Sequence, residues 1–478
     1  MAVSGRFGVG RVWWLACLAV ICVVIGVIAG IDPAYGLLAA LGLTFAVVTV
    51  MDLTLGFVLF TIASFLDVLS GATSLSATKL IGLVLFGSWL ARAATNRSQS
   101  GGFVIENPGL AAALAAMLGW IALSFAWAFS PSTALSGALT FLLDMILVPL
   151  CYAAIRKREH VVWVVAAFAF GAVMSSVYGF VHPTAVTSMD AGRATGLNGD
   201  ANGEATVLAA AIPLVICLFV IWRESARLKL ASLIAVVLLF AGLVQTLSRE
   251  GLVSLGAVLV AAVVFGGRWR QAAAVLLVIG ALVTVGYFAF FAPAAARDRV
   301  TNSDTSGRSS LWKIAGRVFE AHPLLGVGEN NFILVEQQYI NRPGSISAFY
   351  VVDRPLLTHN TFLEALTDLG IPGLLTLLAV LGLCISAAVR ATWMFERNGD
   401  QDMELMSRGI ILALVAILTS DFFVAGATAK YLWIPLALCP VLLRLAREQD
   451  ENEPDDAEWG ETPAVPVQRR TAGAIPAV

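Results

Sequence analysis

Arg193 in GRATGLNGDANGEA, Arg249 in SREG, Arg308 in GRSSLWKIAGRVFEAHP and His359 in LTHNTFLEALTDLGIPG are polar interruptions in a chain otherwise made of long apolar runs. A guanidinium keeps its charge at any physiological pH and offers a rigid fork of donors that can meet two phosphate oxygens at once. An imidazole, with an ordinary pKa of about 6.5, can take a proton from an attacking hydroxyl. Together these types suit the grip of an anion such as a diphosphate and the activation of a hydroxyl beside it. For any one arginine the plainer alternative is a contact with a lipid headgroup.

Arg249 stands apart because only Ser-Arg-Glu separates two apolar runs there. Its charge must lie near headgroup level, at a cost of up to about 2.5 to 3.5 kcal/mol on insertion scales. Either the neighbouring Glu250 neutralises it or it meets a phosphate. His359 precedes a long apolar stretch and is followed by Asn360, Glu364 and Asp368. The spacing of four between the carboxylates puts them on one helix face, with His359 on roughly the same stripe, so either one is positioned to orient the imidazole. The alternative for His359 is a polar residue at a helix start. Arg317 joins the same region from the segment after Arg308. GVGEN, residues 326–330, has glycine spacing suggestive of a phosphate loop but neither a preceding strand nor a GK[ST] ending, and reads as a permissive turn. Asp144 and Asp421 fall within apolar runs, where an ionisable group marks either an ion path or an interhelical hydrogen bond.

The elements that position these residues follow from hydropathy. With 59% hydrophobic and 13% charged residues, and a mean hydropathy of +0.85, the composition is that of a membrane protein. Apolar runs of about 20 residues, each enough to cross the hydrocarbon core, recur through most of the length. They are expected at 12–31, 34–51, 53–70, 77–94, 109–129, 135–155, 160–181, 204–222, 230–247, 251–267, 271–292, 361–390, 408–427 and 430–446. Backbone in hydrocarbon must bond internally, and the alternation of a barrel strand is absent. The expected fold is an all-α polytopic integral membrane protein of about twelve to fourteen transmembrane helices.

If the N-terminus is inside, nineteen of the 30 Lys and Arg residues fall in inside segments, so both termini are expected to be cytoplasmic. That assignment leaves two long outer loops, 182–203 and 293–358, within a transmembrane domain spanning 1–446. In the second loop Leu311, Trp312, Ala315, Val318 and Phe319 recur at helical spacing before Pro323, which predicts a short amphipathic helix lying on the outer membrane surface. Residues 447–478 read as an acidic, disordered cytoplasmic tail. The net charge of -2 offers no field for nucleic acid. The six cysteines show no CxxC pattern and no histidine at metal-ligand spacing, so neither a disulfide framework nor a zinc site is expected.

The ordered set GRATGLNGDANGEA, SREG, GRSSLWKIA, HPLLGVGENNF and HNTFLEALTDLGIPG resembles the O-antigen ligase and O-antigen polymerase superfamily of bacterial membrane proteins. The resemblance runs from Arg193 to Gly373, while the first 180 residues match only as apolar spans. It implies a fold similar to the GT-C glycosyltransferases and a location in the bacterial cytoplasmic (inner) membrane. It further implies transfer of an undecaprenyl-diphosphate-linked glycan to an acceptor hydroxyl at the outer face, with inversion and without metal or other cofactor. On that resemblance Arg193, Arg249 and Arg308 look like the cations that hold the diphosphate and His359 like the catalytic base. Asn360 and Glu364 then lie on the orienting or acceptor side. The partners implied are the lipid-linked glycan donor, a glycan, lipid or protein acceptor, and membrane lipids. Glu250, where the family often has a small residue, and GDANGEA, where a Pro-Asn pair is common, are departures. The alternative function is a secondary transporter of a small anion or inorganic carbon, with Asp144 and Asp421 as its candidate groups.

Overall fold

The computed structural model describes residues 22–66, 77–95, 102–182, 192–292, 297, 307–340 and 356–452. Its elements are helices: α1 (Cys22–Ile31), α2 (Pro33–Met51), α3 (Leu53–Ala63), α4 (Ala77–Thr95), α5 (Gly102–Glu106), α6 (Pro108–Ser124), α7 (Pro131–Met145), α8 (Leu147–Ala154) and α9 (Arg158–Val181). They continue as α10 (Ala201–Ile221), α11 (Ala226–Gln245), α12 (Arg249–Phe265), α13 (Arg270–Gly286), α14 (Arg308–Ala321), α15 (Phe332–Ile340), α16 (Thr361–Arg397), α17 (Gln401–Ser420) and α18 (Lys430–Asn452). The expected all-α polytopic membrane fold is borne out. Among the described residues seven helices are long and apolar enough to cross a membrane: α7 with α8 as one, α9, α10, α11, the helix ending at Gly286, α16 and α17. The other apolar helices are shorter, α3 with 11 residues among them, which at 1.5 Å per residue reaches only about half the hydrocarbon thickness. Residues 12–21 of the first expected span lie outside the described residues.

The core forms around α10, which packs on α9, α11, α12 and α17. Its run of alanines, Ala205 and Ala209 to Ala211, is fully buried. Small side chains let neighbouring helices approach closely where lipid gives no hydrophobic push between them. At one end of the bundle charged loops are tied by ion pairs: Arg158 to Asp400 at 2.6 Å, Arg223 to Asp402 at 3.0 Å and Arg408 to Glu396 at 2.9 Å. Arg223 follows the C-terminus of α10, so the N-terminus of α10, with Asp200 and Asn202, lies at the opposite end.

At that opposite end α16 is kinked. Gly370 leaves helical geometry at φ 69° and ψ -168°, and Pro372, which has no N–H, leaves the Asp368 carbonyl without its helical partner. The chain from Pro323 to Gly328 takes up the freed groups. Gly328 N–H donates to the Asp368 carbonyl at 2.8 Å, Val327 N–H to Thr367 at 3.0 Å, and Ile371 N–H to Pro323 at 3.0 Å. Gly326 (φ 67°) and Gly328 (φ 98°) adopt left-handed backbone, so GVGEN is a turn docked on a kinked helix.

Three expectations need correction. The amphipathic helix exists as α14, but its apolar face does not lie on lipid. Leu311, Ile314, Ala315 and Val318 are buried in a small core with Val327, Phe332, Val335 and Tyr339. The reason is α15, whose segment read as loop and whose residues cover that face. The predicted loop 182–203 ends early, because Asp200 caps α10 by accepting from Gly203 N–H at 2.7 Å. The tail does not begin at 447: α18 runs on to Asn452, held by Arg397 to Asp450 at 2.6 Å. The rest of the tail lies outside the described residues, as do 183–191, 293–296, 298–306 and 341–355 of the two expected outer loops.

Candidate functional site

Four helix N-termini meet at the end of the bundle opposite the charged loops. Ser248, the N-cap of α12, places its Oγ 3.3 Å from Asn202 Oδ1 in the first turn of α10. Arg308, the first residue of α14, donates Nη2 to Glu250 Oε2 in the first turn of α12 at 2.7 Å. Trp312 of α14 donates Nε1 to the Thr358 carbonyl at 3.2 Å, just before α16. Each N-terminus carries about half a positive charge, with Asp200 and Asn360 capping first-turn N–H groups of α10 and α16, so the junction of four such dipoles attracts an anion.

The three arginines sit at this junction in different ways. Arg193 is 8% exposed and donates Nε to the Thr246 carbonyl at 2.8 Å and Nη2 to Asn202 Oδ1 at 2.6 Å. Ala194 N–H reinforces that link by donating to the Gln245 carbonyl at 3.0 Å. With two nitrogens engaged by protein, Arg193 holds the α11–α12 turn to the start of α10 and contributes mainly its charge. Arg249 is half-buried as the first residue of α12, flanked by the contacts of Ser248 and Glu250. Arg308 is 19% exposed and its guanidinium lies 5.9 Å from the Phe423 ring centroid. The Glu250 carboxylate has its ion pair with Arg308, a partner 58 residues away, which sequence proximity to Arg249 does not reveal.

His359 is presented by its successors. Asn360 caps α16, its Oδ1 accepting from Phe362 and Leu363 N–H at 3.0 Å each, while its Nδ2 donates to the Phe422 carbonyl at 3.1 Å. Thr361 N–H donates to the Asp421 carbonyl at 2.8 Å, and its hydroxyl donates to Val424 at 3.0 Å and accepts from Gly426 N–H at 2.7 Å. With Asn360 and Thr361 fixed on the turn after α17, His359 is held at φ 49°. Its imidazole makes no hydrogen bond to a described residue. Burial, and then the Arg308 charge, lower its pKa below the ordinary value, which keeps the ring neutral near pH 7 and able to accept a proton.

Among the described residues the only non-glycine positions with left-handed backbone are Leu247, Asn330 and His359. Each such conformation costs on the order of 1 to 3 kcal/mol and persists where surrounding structure over-determines it. All three lie at this end: Leu247 two residues before Arg249, His359 itself, and Asn330 on the loop docked to α16.

Neither carboxylate at the start of α16 hydrogen-bonds to His359. Asp368 Oδ1 accepts from Phe332 N–H at 2.7 Å, and Glu364 lines a cavity with Glu329. His359 precedes the N-cap Asn360 with left-handed backbone, so it is off the helical stripe that carries both carboxylates, and the docked loop engages Asp368 instead. Asp144 lines another cavity with Lys79 and Lys430, and Asp421 is buried at the C-terminal turn of α17.

Residues 234–378 match the family model described as O-antigen ligase. The chain carries an O-antigen ligase domain. The match supports, at family level, an O-antigen ligase-like glycosyltransferase, in accord with the resemblance drawn from the motifs. The matched segment contains Arg249, Arg308, His359, Asn360 and Glu364, whereas Arg193 precedes it. No curated protein matches the chain.

Several residues that shape this candidate site gave no signal of their own. Asn202 joins Arg193 to Ser248. Glu204, 1% exposed, accepts from Ser175 Oγ at 2.6 Å and Asn198 Nδ2 at 2.5 Å, fixing the turn between Arg193 and α10. A Cβ at Gly196 would lie 2.3 Å from the Glu204 carboxylate, so glycine is required there. The polar string GLNGDANGE marked the segment, but only the fold shows which of its members face inward.

Proposed function

We propose that this protein transfers an undecaprenyl-diphosphate-linked glycan to an acceptor hydroxyl at the outer face of the bacterial inner membrane, with inversion and without a metal ion. The observation that carries the reading is the convergence of four helix N-termini with Arg193, Arg249, Arg308 and a neutral, unpartnered His359. The lipid tail of such a donor stays among the apolar helix faces while its diphosphate meets the arginines. The acceptor oxygen attacks the anomeric carbon from the face opposite the diphosphate, and its proton passes to His359. The bond to the diphosphate oxygen breaks with its electron pair, and the charge that develops there is met by Arg249, Arg308, the field of Arg193 and the helix dipoles. The excess of Lys and Arg in the loops of the other end supports placing that end, and both termini, in the cytoplasm.

The transporter alternative predicts binding groups near the midplane on broken helices. The polar convergence at one end of the bundle favours transfer. A purified, full-length enzyme assayed with lipid-linked glycan tests the proposal. His359→Ala is expected to lower the transfer rate by about 10²- to 10⁴-fold, the range for loss of a general base, and Arg249→Ala to lower it as well. Undiminished transfer by both variants would overturn the assignment.

A further inference from the structure

A cavity of about 160 Å³ opens beside the first two turns of α16, lined by Glu329, Glu364 and Asp368 together with Ser136 and Thr140 of α7 and Thr428. Among the described residues no lysine or arginine lines it. Glu329 is 7% exposed, and its carboxylate makes no hydrogen bond to a described residue. Glu364 Oε2 is buried without a partner. Leaving such groups unpaired costs more than a made bond returns, so an unpartnered buried acid calls for an explanation.

The surroundings fix Glu329 in place. Its N–H donates to Ser124 Oγ at 3.2 Å, and Asn331 ties the same loop to the start of α7 by accepting from Ser130 N–H at 2.6 Å. A Cβ at Gly137 would come within 2.5 Å of Glu329 Cγ and 3.0 Å of Oε1, so the acid reaches the cavity only because position 137 is glycine. Asn330, next in the chain, holds strained backbone at φ 56°. The fold thus spends a strained residue, a glycine and two loop contacts to seat an acid whose carboxylate has no hydrogen-bond partner among the described residues.

The chemistry of the lining excludes an anion such as the donor diphosphate and suits hydrogen-bond donors. Burial, and then the Glu364 charge, raise Glu329 above the ordinary carboxylic range, so that its carboxyl can donate as well as accept. Glu364 lies one turn beyond Asn360, which places the cavity next to the His359 segment and apart from the arginines.

We propose that this acidic cavity holds a sugar unit of the acceptor through its hydroxyl groups, with Glu329 and Glu364 as the recognising side chains. The inference rests on the glycosyltransferase reading. It separates donor and acceptor by charge: arginines take the diphosphate, acids take the hydroxyl-rich partner.

The full-length protein in lipid nanodiscs is treated with a hydrophobic carbodiimide, which modifies protonated buried carboxyls, and labelling of each acid is read by mass spectrometry. A panel of methyl hexosides is expected to protect Glu329 and Glu364, whereas sodium chloride and methylammonium chloride give no protection. Glu329→Gln is expected to abolish protection at Glu364. Gly137→Ala, which keeps every acid but displaces the Glu329 side chain, is expected to weaken it. Protection by either cation without the hexosides, or by none of the probes, overturns the proposal. In the transfer assay Glu329→Gln is expected to raise the acceptor KM by up to about tenfold, the worth of one hydrogen bond, with the donor KM unchanged. A changed donor KM with an unchanged acceptor KM overturns the cavity assignment and leaves the transferase reading standing. Absence of transfer by the unmodified protein overturns that reading, and the labelling experiment then decides whether the cavity binds sugar.

Discussion

Arg308 and Glu250 form an ion pair of 2.7 Å that joins the first turn of α14 to the first turn of α12. Glu250 is nearly fully buried, and a buried carboxylate without a cation would be costly, so the pair holds both helix starts in register. It also gives Arg308 an internal anion at the place where the donor diphosphate is proposed to bind. Glu250 is one of the two points at which the sequence departs from the superfamily it resembles, and on the proposed function its carboxylate would compete with the diphosphate for Arg308.

Glu250→Gln should therefore tighten donor binding. The amide keeps the volume and can still accept from Arg308, but it removes the competing charge. The expected result is a donor KM lowered by about three- to tenfold, the scale of one net hydrogen bond, measured by initial rates across donor concentration. A raised donor KM would mean that the pair positions Arg308 more than it competes.

The pH dependence of transfer follows from His359. A base works when unprotonated, so activity is present above its pKa and lost as pH falls through it. Burial and Arg308 push that pKa below the ordinary histidine value. The acid limb of the kcat profile should accordingly lie below about pH 6.5. Arg308→Gln removes the cation and should shift the limb to higher pH, besides weakening donor binding. A limb that does not move would detach Arg308 from His359.

Asn360 tests positioning without touching the imidazole. Asn360→Ala deletes a cap to two N–H groups and the bond to Phe422, and should cost about 1 kcal/mol of stability. Because the same residue holds His359 in its left-handed conformation, kcat should fall severalfold with donor KM little changed. Thermal unfolding and steady-state kinetics on one preparation separate the two effects.

Much of this arrangement was legible in the sequence, and the remainder was not for identifiable reasons. Helix positions followed from hydropathy because a spanning helix must satisfy its own backbone, so α9, α10 and α11 lie within a few residues of expectation. Arg249, Arg308 and His359 stood out because polar breaks between apolar runs are few. The partner of Glu250 was invisible, since the nearest cation in sequence is Arg249 and the actual pair spans 58 residues. Glu364 and Asp368 had the right helical spacing to reach His359, but the spacing argument assumes a straight helix that includes His359. His359 breaks that assumption because it stands before the N-cap with left-handed backbone, and beyond the two acids Gly370 and Pro372 free the Asp368 carbonyl to recruit Gly328. Short α15, with nine residues, shows its periodicity only once its partner α14 is known.

The docked loop makes its own prediction. A Cβ at Gly326 would lie 2.3 Å from the Asp368 carbonyl oxygen, at a backbone φ of 67° that other residues adopt only with strain. Gly326→Ala should destabilise the protein by about 2 kcal/mol or more and loosen the loop that carries Glu329. A lowered unfolding temperature together with faster proteolysis between Ala321 and Phe332 is the expected signature. An unchanged protein would show that the loop docks less tightly than its hydrogen bonds indicate.

The central claim, that the four converging helix N-termini and their arginines form the diphosphate site, is tested most directly by an experimental structure of the protein with a bound lipid diphosphate. The account predicts the diphosphate between Arg249 and Arg308, at the N-termini of α12 and α14, with His359 on the side of the scissile bond. Diphosphate bound instead at the opposite end, on Arg156, Lys157 and Arg158, with the Arg308–Glu250 pair undisturbed, would contradict it.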